Sequence, residues 1–353
     1  MQSTCYSERY EVVRNYPVVS GFDEAGRKIN SAVTFSQDWE TGARICLFPS
    51  VQKGSFLDKD NPYYASLLSG AAEFCANKLI VSFCMPQYAC YKPGENPFIE
   101  YKVKSFYRDV RQFEVIVSIT AEGREVYRKH ITHEAAAFGE ISGSAAWYTE
   151  SFDTDMYEVT VKVLSGGRVV SCGNNAFVIW NEAVVRQGPE LFNDGEYFSI
   201  NGKPSVLLGT NYYDSNSNSA MWVLPNVSRL NVDLKQMAES GMNFFRVHYH
   251  LPKWFYDFWM QRYGTVPDMY KDLGNSYLPE EKYLRILDAH IYLCQKYHLI
   301  YGGNLFTMVP EEMGDPRGWG GVHDYCFLEE KLPAQLEFLD LVIPRYKNVP
   351  GIS

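Results

Sequence analysis

The residue types able to do chemistry are unevenly spread along the 353-residue chain. Glu311 and Glu312 are adjacent carboxylates after an apolar stretch. General acid–base work needs two carboxyls aimed at one point, which neighbouring loop residues rarely achieve, so a substrate contact suits one of them better than a catalytic pair. His130 and His133 have the spacing nearest to that of metal ligands, but no second pair completes a site and no metal is expected. The eight cysteines stand at 5, 46, 75, 84, 90, 172, 294 and 326, without a CxxC pair or a repeated spacing. They read as buried free thiols in a reducing compartment. Aromatic residues make up 15% of the chain, including 26 Tyr and 7 Trp, more than a core needs, and point to surfaces that stack against flat groups. Trp254, Phe255, Tyr256, Phe258 and Trp259 have helical spacing and fit a core better than a platform. Trp319, in the glycine-rich stretch from Gly314 to Gly321, is the better stacking candidate.

The whole chain sets bounds on these candidates. At about 150 residues per domain its length suggests two or three domains. Hydrophobic residues at 46% and charged residues at 21% are those of a globular protein. Lys and Arg number 33 against 42 Asp and Glu, a net charge of -9, which leaves no basic stripe for nucleic acid. Met1 to Tyr10 carries Glu8 and Arg9 and no apolar run, so no signal peptide is read and a cytoplasmic location is expected. No stretch of about 20 apolar residues could span a membrane.

Three segments differ in pattern. Residues 1–82 hold a compact apolar run, Ala43 to Phe48, which reads as a buried strand, and then a helix pattern from Tyr63 to Asn77 with Leu67, Leu68, Ala71, Ala72, Phe74 and Cys75 on one face. This strand, loop and helix suit the last part of an open α/β unit. Residues 83–185 hold alternating stretches at Phe98–Val103, Gln112–Ile119, Met156–Val163 and Ala176–Trp180. Turns at Glu122-Gly123 and Ser165-Gly166-Gly167 separate them, which predicts an antiparallel β-sandwich of immunoglobulin type without its Cys…Trp…Cys signature. Residues 190–353 alternate strand and helix, which predicts parallel strands covered by helices. The strands are Ser205–Gly209, Met242–Val247 and Leu299–Asn304. The helices are one capped by Asn231 with Asp233 in its first turn and Gly241 as its stop, one from Pro279 to His298, and one from Leu332 to Lys347.

Within that third segment, Ser199-Ile-Asn-Gly-Lys-Pro204, Leu208-Gly-Thr-Asn-Tyr-Tyr213, Asp233 to Asn243 and Phe245-Arg-Val-His-Tyr249 form an ordered set. It resembles the opening of the (β/α)8 TIM barrel of retaining glycoside hydrolases of the family 2 and family 5 type. Pro344 to Ile352 is similar to their lead-in to strand four. The first segment resembles, more weakly, the end of a glutamine-amidotransferase-like domain, but no Gly-x-Cys-x-Gly turn surrounds Cys46 and that chemistry is not expected.

The resemblance implies a carbohydrate substrate, a β-glycoside or oligosaccharide of galactosidase or mannosidase kind, and no cofactor. It places Arg246 at the end of strand two, where it would orient a catalytic carboxylate. His248 and His250 would follow on the first loop positions and hydrogen-bond sugar hydroxyls. Asn211, Tyr212 and Tyr213 would sit just beyond strand one at the same mouth, with Glu311 and Trp319 as further substrate contacts. A retaining enzyme needs two carboxyl groups about 5 Å apart. The resemblance puts the acid/base at the end of strand four, in an Asn-Glu pair, and the nucleophile on strand seven. Both positions are expected after Ser353, where strand four would begin. Asn181-Glu182 lies in the linker after the sandwich and cannot serve. The 157 residues from Tyr197 to Ser353 compare with about 250 for a full barrel. The expectation is therefore an incomplete barrel with substrate-side residues and no catalytic glutamates. The alternative is a non-catalytic carbohydrate-binding or scaffold protein of the same descent.

Overall fold

The computed structural model describes residues 13–38, 41–48, 63–193, 195–214, 219–266, 270–271, 276–314 and 328–352. Strands β1 (Val13–Phe22), β2 (Lys28–Asp38) and β3 (Arg44–Leu47) form one antiparallel sheet in that order. Helix α1 (Tyr64–Ala76) lies on it, with the Phe74 ring 4.8 Å from that of Phe35. The strand and helix expected here are present, but the strands run antiparallel, not parallel as in an open α/β unit. Nor is β3 a buried strand. Arg44 and Cys46 turn towards α1 while Ile45 and Leu47, 54% and 43% exposed, alternate to the uncovered face.

Eight strands then build a two-sheet sandwich: β4 (Leu79–Pro86), β5 (Cys90–Tyr91), β6 (Phe98–Ser105), β7 (Arg111–Ala121), β8 (Arg124–Ala135), β9 (Glu140–Ala146), β10 (Met156–Ser165) and β11 (Arg168–Ile179). One sheet has the order β5-β11-β10-β7-β8 and the other β4-β6-β9, all pairs antiparallel except β5 with β11. Alternate residues Val115, Val117, Ile119, Val159, Val161 and Val163 meet Ile99, Tyr101 and Val103 between the sheets, and all are essentially unexposed. Each such aliphatic side chain contributes about 1.5–3 kcal/mol on burial. The two tight turns fall at Glu122-Gly123 and Gly166-Gly167, where all four residues have positive φ, the turn that matches strand twist. His130 and His133 both lie on β8 and, three apart, point to opposite faces. His133 meets the Tyr101 hydroxyl at 2.8 Å, and His130 meets Glu114.

After the short helix α2 (Glu182–Val185), strands β12 (Leu191–Asn193), β13 (Phe198–Ile200) and β14 (Lys203–Pro204) make a small antiparallel sheet. The rest is a parallel sheet with helices: β15 (Gly209–Asn211), α3 (Val227–Glu239), β16 (Phe244–His250), α4 (Pro252–Tyr263), α5 (Glu281–Lys296), β17 (Ile300–Met308) and α6 (Leu332–Tyr346). The sheet order is β15-β16-β17, and a single parallel bridge from Tyr301 to Ile352 extends it at the far edge. Three strands and that bridge are what the described residues hold of the expected barrel. Ser353, the residue after the bridge, lies outside the described residues.

Local reasons account for where these elements begin. Helix α3 starts four residues before the expected cap, because the Asn226 side chain accepts from Arg229 N at 3.0 Å. Asn231 lies inside the helix, where it accepts from the Tyr297 hydroxyl at 2.6 Å. Gly241, at φ +83°, ends the turn as expected. Strand β15 begins at Gly209, beyond the apolar Ser205–Leu208 run, since Asn243 ties that run down: its amide accepts from Leu208 N and donates to Val206 O.

One apolar cluster joins the sandwich to the helices. Ala176 and Val178 of β11 and Cys90 of β5 pack with Leu234 of α3 and Ile286, Ala289 and Leu293 of α5. Helix α5 is buried along its whole middle, from Tyr283 to Gln295, because it lies between the parallel sheet and the sandwich. The cysteines divide more finely than the expected buried thiols, and Cys5 and Cys326 lie outside the described residues. Cys90 and Cys294 are buried, Cys46 and Cys84 half-buried, and Cys75 and Cys172 exposed.

Candidate functional site

The parallel sheet has a covered face and an open face. Phe245, Val247 and Tyr249 of β16 are at most 1% exposed and point to the helices: Phe245 lies 6.0 Å from His290 of α5, and Tyr249 is stacked 6.2 Å from Phe338 of α6. Phe244, Arg246 and His248 alternate to the other face and are half-buried. Glycines let that face close tightly. A Cβ on Gly302 would lie 2.5 Å from the Phe244 ring, and one on Gly209 would lie 1.8 Å from the Phe244 carbonyl oxygen.

Asn211 is directly opposite Arg246 in the ladder, and Arg246 Nη1 donates to Asn211 Oδ1 at 3.1 Å. Two residues further along β16, the His248 ring is stacked on Tyr213 at 6.1 Å. Burial first, and then the positive charge of Arg246, push the His248 imidazole below its ordinary pKa. A neutral imidazole results, able to donate and accept a hydrogen bond at neutral pH. Asn211, Tyr213, Arg246 and His248 thus gather where the carboxyl end of β15 meets β16, on the face away from the helices; β16 runs on to His250, so Arg246 lies inside the strand, not at its end, and His248 is a strand residue, not a loop residue.

Two expected members lie elsewhere. Tyr212, the next residue after Asn211, alternates to the covered side. Its hydroxyl donates to Asp233 of α3 at 2.9 Å, its ring packs on Phe245 at 5.2 Å, and it is 8% exposed. His250 is a strand residue, not a loop residue. The pairing slips after His248, where two steps along β16 span four along β17, and His250 turns inward to 1% exposure. Trp254, Phe255 and Tyr213 surround it at ring distances of 5.1, 5.9 and 6.2 Å. Neither ring nitrogen has a hydrogen-bond partner among the described residues, and burial lowers its pKa to about 3.

Glu311 and Glu312 occupy the turn after β17. Glu311 is exposed, and its carbonyl accepts from Lys331 Nζ at 2.5 Å. Glu312 is held by Lys253 of α4 at 3.1 Å, and the same Lys253 bonds Asp257 at 2.7 Å. Burial raises Asp257 above its ordinary pKa, whereas Lys253, which burial alone would lower, is held up by its bonds to Asp257 and Glu312. The two glutamates therefore serve different contacts. Trp319 lies outside the described residues, and so does Ser353. Trp254 and Phe255 are 5% and 2% exposed and belong to the core, while Tyr256, Phe258 and Trp259 are half-buried and pack against it.

No protein-family model matches the chain, and no curated protein sequence matches it. Solved structures similar to it include a glycosyl hydrolase family 2 member from Bacteroides cellulosilyticus DSM 14838, at 14% identity over 78% of this chain and 31% of that one, with a TM-score of 0.31. A β-glucuronidase from Bacteroides uniformis is similar at 15% identity over 79% and 27%, with a TM-score of 0.30. A β-D-mannosidase from Dictyoglomus thermophilum is similar at 16% identity over 78% and 29%, with a TM-score of 0.31. The chain spans less than a third of the length of each.

Some of the site gave no usable signal beforehand. Trp222, in a 3-10 turn after β15, is fully buried; its Nε1 donates to the His248 carbonyl at 2.6 Å, and its ring is stacked on His290 at 4.7 Å. It anchors the backbone that presents His248. The Lys253–Asp257 pair was open to reading, since i, i+4 charges on a helix meet. Trp222 had no spacing to reveal it. A cavity of about 1050 Å³ also lies between the sandwich, the middle of α5 at Asp288 and the end of α6 at Arg345 and Tyr346, but neither Asn211, Tyr213, Arg246 nor His248 lines it.

Proposed function

We propose that this chain is part of a retaining glycoside hydrolase of the β-galactosidase or β-mannosidase kind. On this reading the sandwich is the immunoglobulin-like domain that precedes the barrel, and residues 190–353 are the barrel's opening strands. The observation that carries the reading is the Arg246–Asn211 hydrogen bond, where the carboxyl end of β15 meets β16 on the face away from the helices. Active sites of (β/α)8 barrels lie at that end. Asn211 and Tyr213 would contact sugar hydroxyls, neutral His248 would bond one more, and Arg246 would orient an anionic carboxylate. The acid/base and nucleophile glutamates would come from strands after Ser353, because Glu312 is committed to Lys253 and Glu311 lies on an exposed turn.

The test uses aryl β-galactosides and β-mannosides with the purified 353-residue chain. Binding without turnover, weakened by Arg246→Ala, is the expected result. Turnover that Glu311→Gln or Glu312→Gln abolishes would overturn the placement of the catalytic pair beyond these strands. Absence of any sugar binding would overturn the site itself.

A further inference from the structure

Two thiols far from the parallel-strand site lie against each other. Cys46 of β3 and Cys75 of α1 have their sulfurs 3.5 Å apart, and neither is in a disulfide. The contact is held from both sides. Cys46 Sγ lies 3.7 Å from the Ala71 carbonyl, and Cys75 Sγ lies 3.8 Å from the Arg44 carbonyl, so each thiol is set on the other's element. Arg44 keeps the two elements together: its guanidinium donates to Phe74 O at 2.8 Å and to Leu79 O at 3.0 Å, and it lies over the Phe74 ring at 4.7 Å. The cation is thus fixed at the helix end that carries Cys75. The two thiols also differ in access, since Cys75 is exposed and Cys46 half-buried.

We propose that Cys46 and Cys75 form a modification site, a dithiol that a low-molecular-weight disulfide such as oxidised glutathione converts to a bond between β3 and α1. The exposed Cys75 thiolate attacks one sulfur of the oxidant, forming a mixed disulfide and releasing one thiolate. Cys46 then loses its proton to water and attacks the Cys75 sulfur, and the second thiolate leaves. Two protons and two electrons leave the protein, and one oxidant disulfide becomes two thiols. The order of attack follows from the surroundings. Burial, and next the hydrogen bond and charge of Cys75, push the Cys46 thiol up to about 12. The exposed Cys75 meets the oxidant first, and only the mixed disulfide gives Cys46, 3.5 Å away, an electrophilic sulfur to attack. The product clamps α1 onto the N-terminal sheet across 28 intervening residues, 47–74, and so stabilises a thinly covered part of the fold.

The full reduced chain is incubated with mixtures of oxidised and reduced glutathione, blocked with N-ethylmaleimide and mapped by mass spectrometry. The expected product is a Cys46–Cys75 linked peptide, with the loss of two alkylatable thiols and little accumulated mixed disulfide. Cys46→Ser is expected to stop at glutathione on Cys75, and Cys75→Ser to leave Cys46 alkylatable only after denaturation. A wild-type chain that ends with glutathione on Cys75 and a free Cys46, or with Cys75 joined to any other cysteine, would overturn the proposal. The wild-type map decides the matter even where a serine variant folds poorly.

Discussion

Arg285, in the second turn of α5, donates to both carboxylate oxygens of Glu95 in the loop between β5 and β6, at 2.9 and 3.1 Å. The same guanidinium bonds the Cys90 carbonyl at 3.0 Å and Glu281 on its own helix, and its side chain is 4% exposed. Arg345 of α6 joins the network through Glu281 and Asp288, and Tyr346 bonds Asp288 at 2.6 Å. Charges from the sandwich and from two helices therefore converge in one desolvated place, beside the apolar contact that already joins them.

Breaking such a network from one side leaves charge buried without a partner. Arg285→Ala is expected to cost about 1–3 kcal/mol, because the Cys90 carbonyl loses a donor and Glu95 its cation, while Glu281 and Asp288 keep Arg345. Chemical denaturation would register the loss, and separate transitions for sandwich and helical part are expected where the wild type shows one. Glu95→Gln, at a carboxylate 31% exposed, is expected to cost less.

Acid is expected to destabilise the fold through two histidines. His290 is fully buried, with its pKa lowered by burial to about 4 despite a bond to the Ile286 carbonyl, and His250 is lowered to about 3. Both lie below the unfolded value of about 6.5, so the unfolded chain binds more protons in between. Their contribution is present in full above about pH 6.5 and is lost as the pH falls towards 4 and then 3. The shifts correspond to about 3 kcal/mol for His290 and about 5 kcal/mol for His250. Denaturation midpoints from pH 7.5 to 4 would test this. His250→Leu should flatten part of the slope while costing less than about 1.5 kcal/mol at pH 7, since no hydrogen bond of the ring is lost among the described residues. An unchanged slope would exclude His250 from the effect.

Periodicity made much of the framework legible. The alternation in Gln112–Ile119 and Met156–Val163 and the helical spacing of Leu284, Leu287, Ile291 and Cys294 are the patterns the structure buries, because apolar spacing follows the geometry of strand and helix. Strand pairing was not legible, as β1 to β3 show, because alternation is the same for either direction. The site was half legible for a related reason. Asn211 and Arg246 lie where the strands put them, but the side on which Tyr212 and His250 fall depends on where β15 starts and on a pairing slip opposite His248. Neither leaves a mark in local residue types. The Asn226 cap was missed because Asn231, a residue of the same type, stood nearer the apolar run.

The opposed faces of Tyr212 and Tyr213 separate stability from binding. Tyr212→Phe removes a buried hydroxyl and leaves Asp233, which burial already holds above its ordinary pKa, short of a donor. A loss of about 1–3 kcal/mol is expected, with sugar affinity unchanged. Tyr213→Ala should do the reverse at the open face, weakening sugar binding and removing the stack on His248. Calorimetric titration beside thermal denaturation would distinguish them. A Tyr212→Phe chain that folds with normal stability but loses sugar binding would contradict the assignment of faces.

Arg246 allows the most direct check, because it acts on Asn211 by geometry and on His248 by charge. Arg246→Lys keeps the charge but loses the planar fork that bonds Asn211 and can grip a carboxylate from two sides. Sugar affinity is expected to fall about tenfold, or about 1.4 kcal/mol. Stability should change by less than about 0.5 kcal/mol, since both partners reach solvent. Arg246→Gln removes the charge as well, and with it the second cause of the lowered His248 pKa. Titration of the His248 ring by NMR should then move upward, while burial, the first cause, still keeps it below its ordinary value. A His248 titration that Arg246→Gln leaves in place would mean that the two side chains are not the neighbours that β16 makes them.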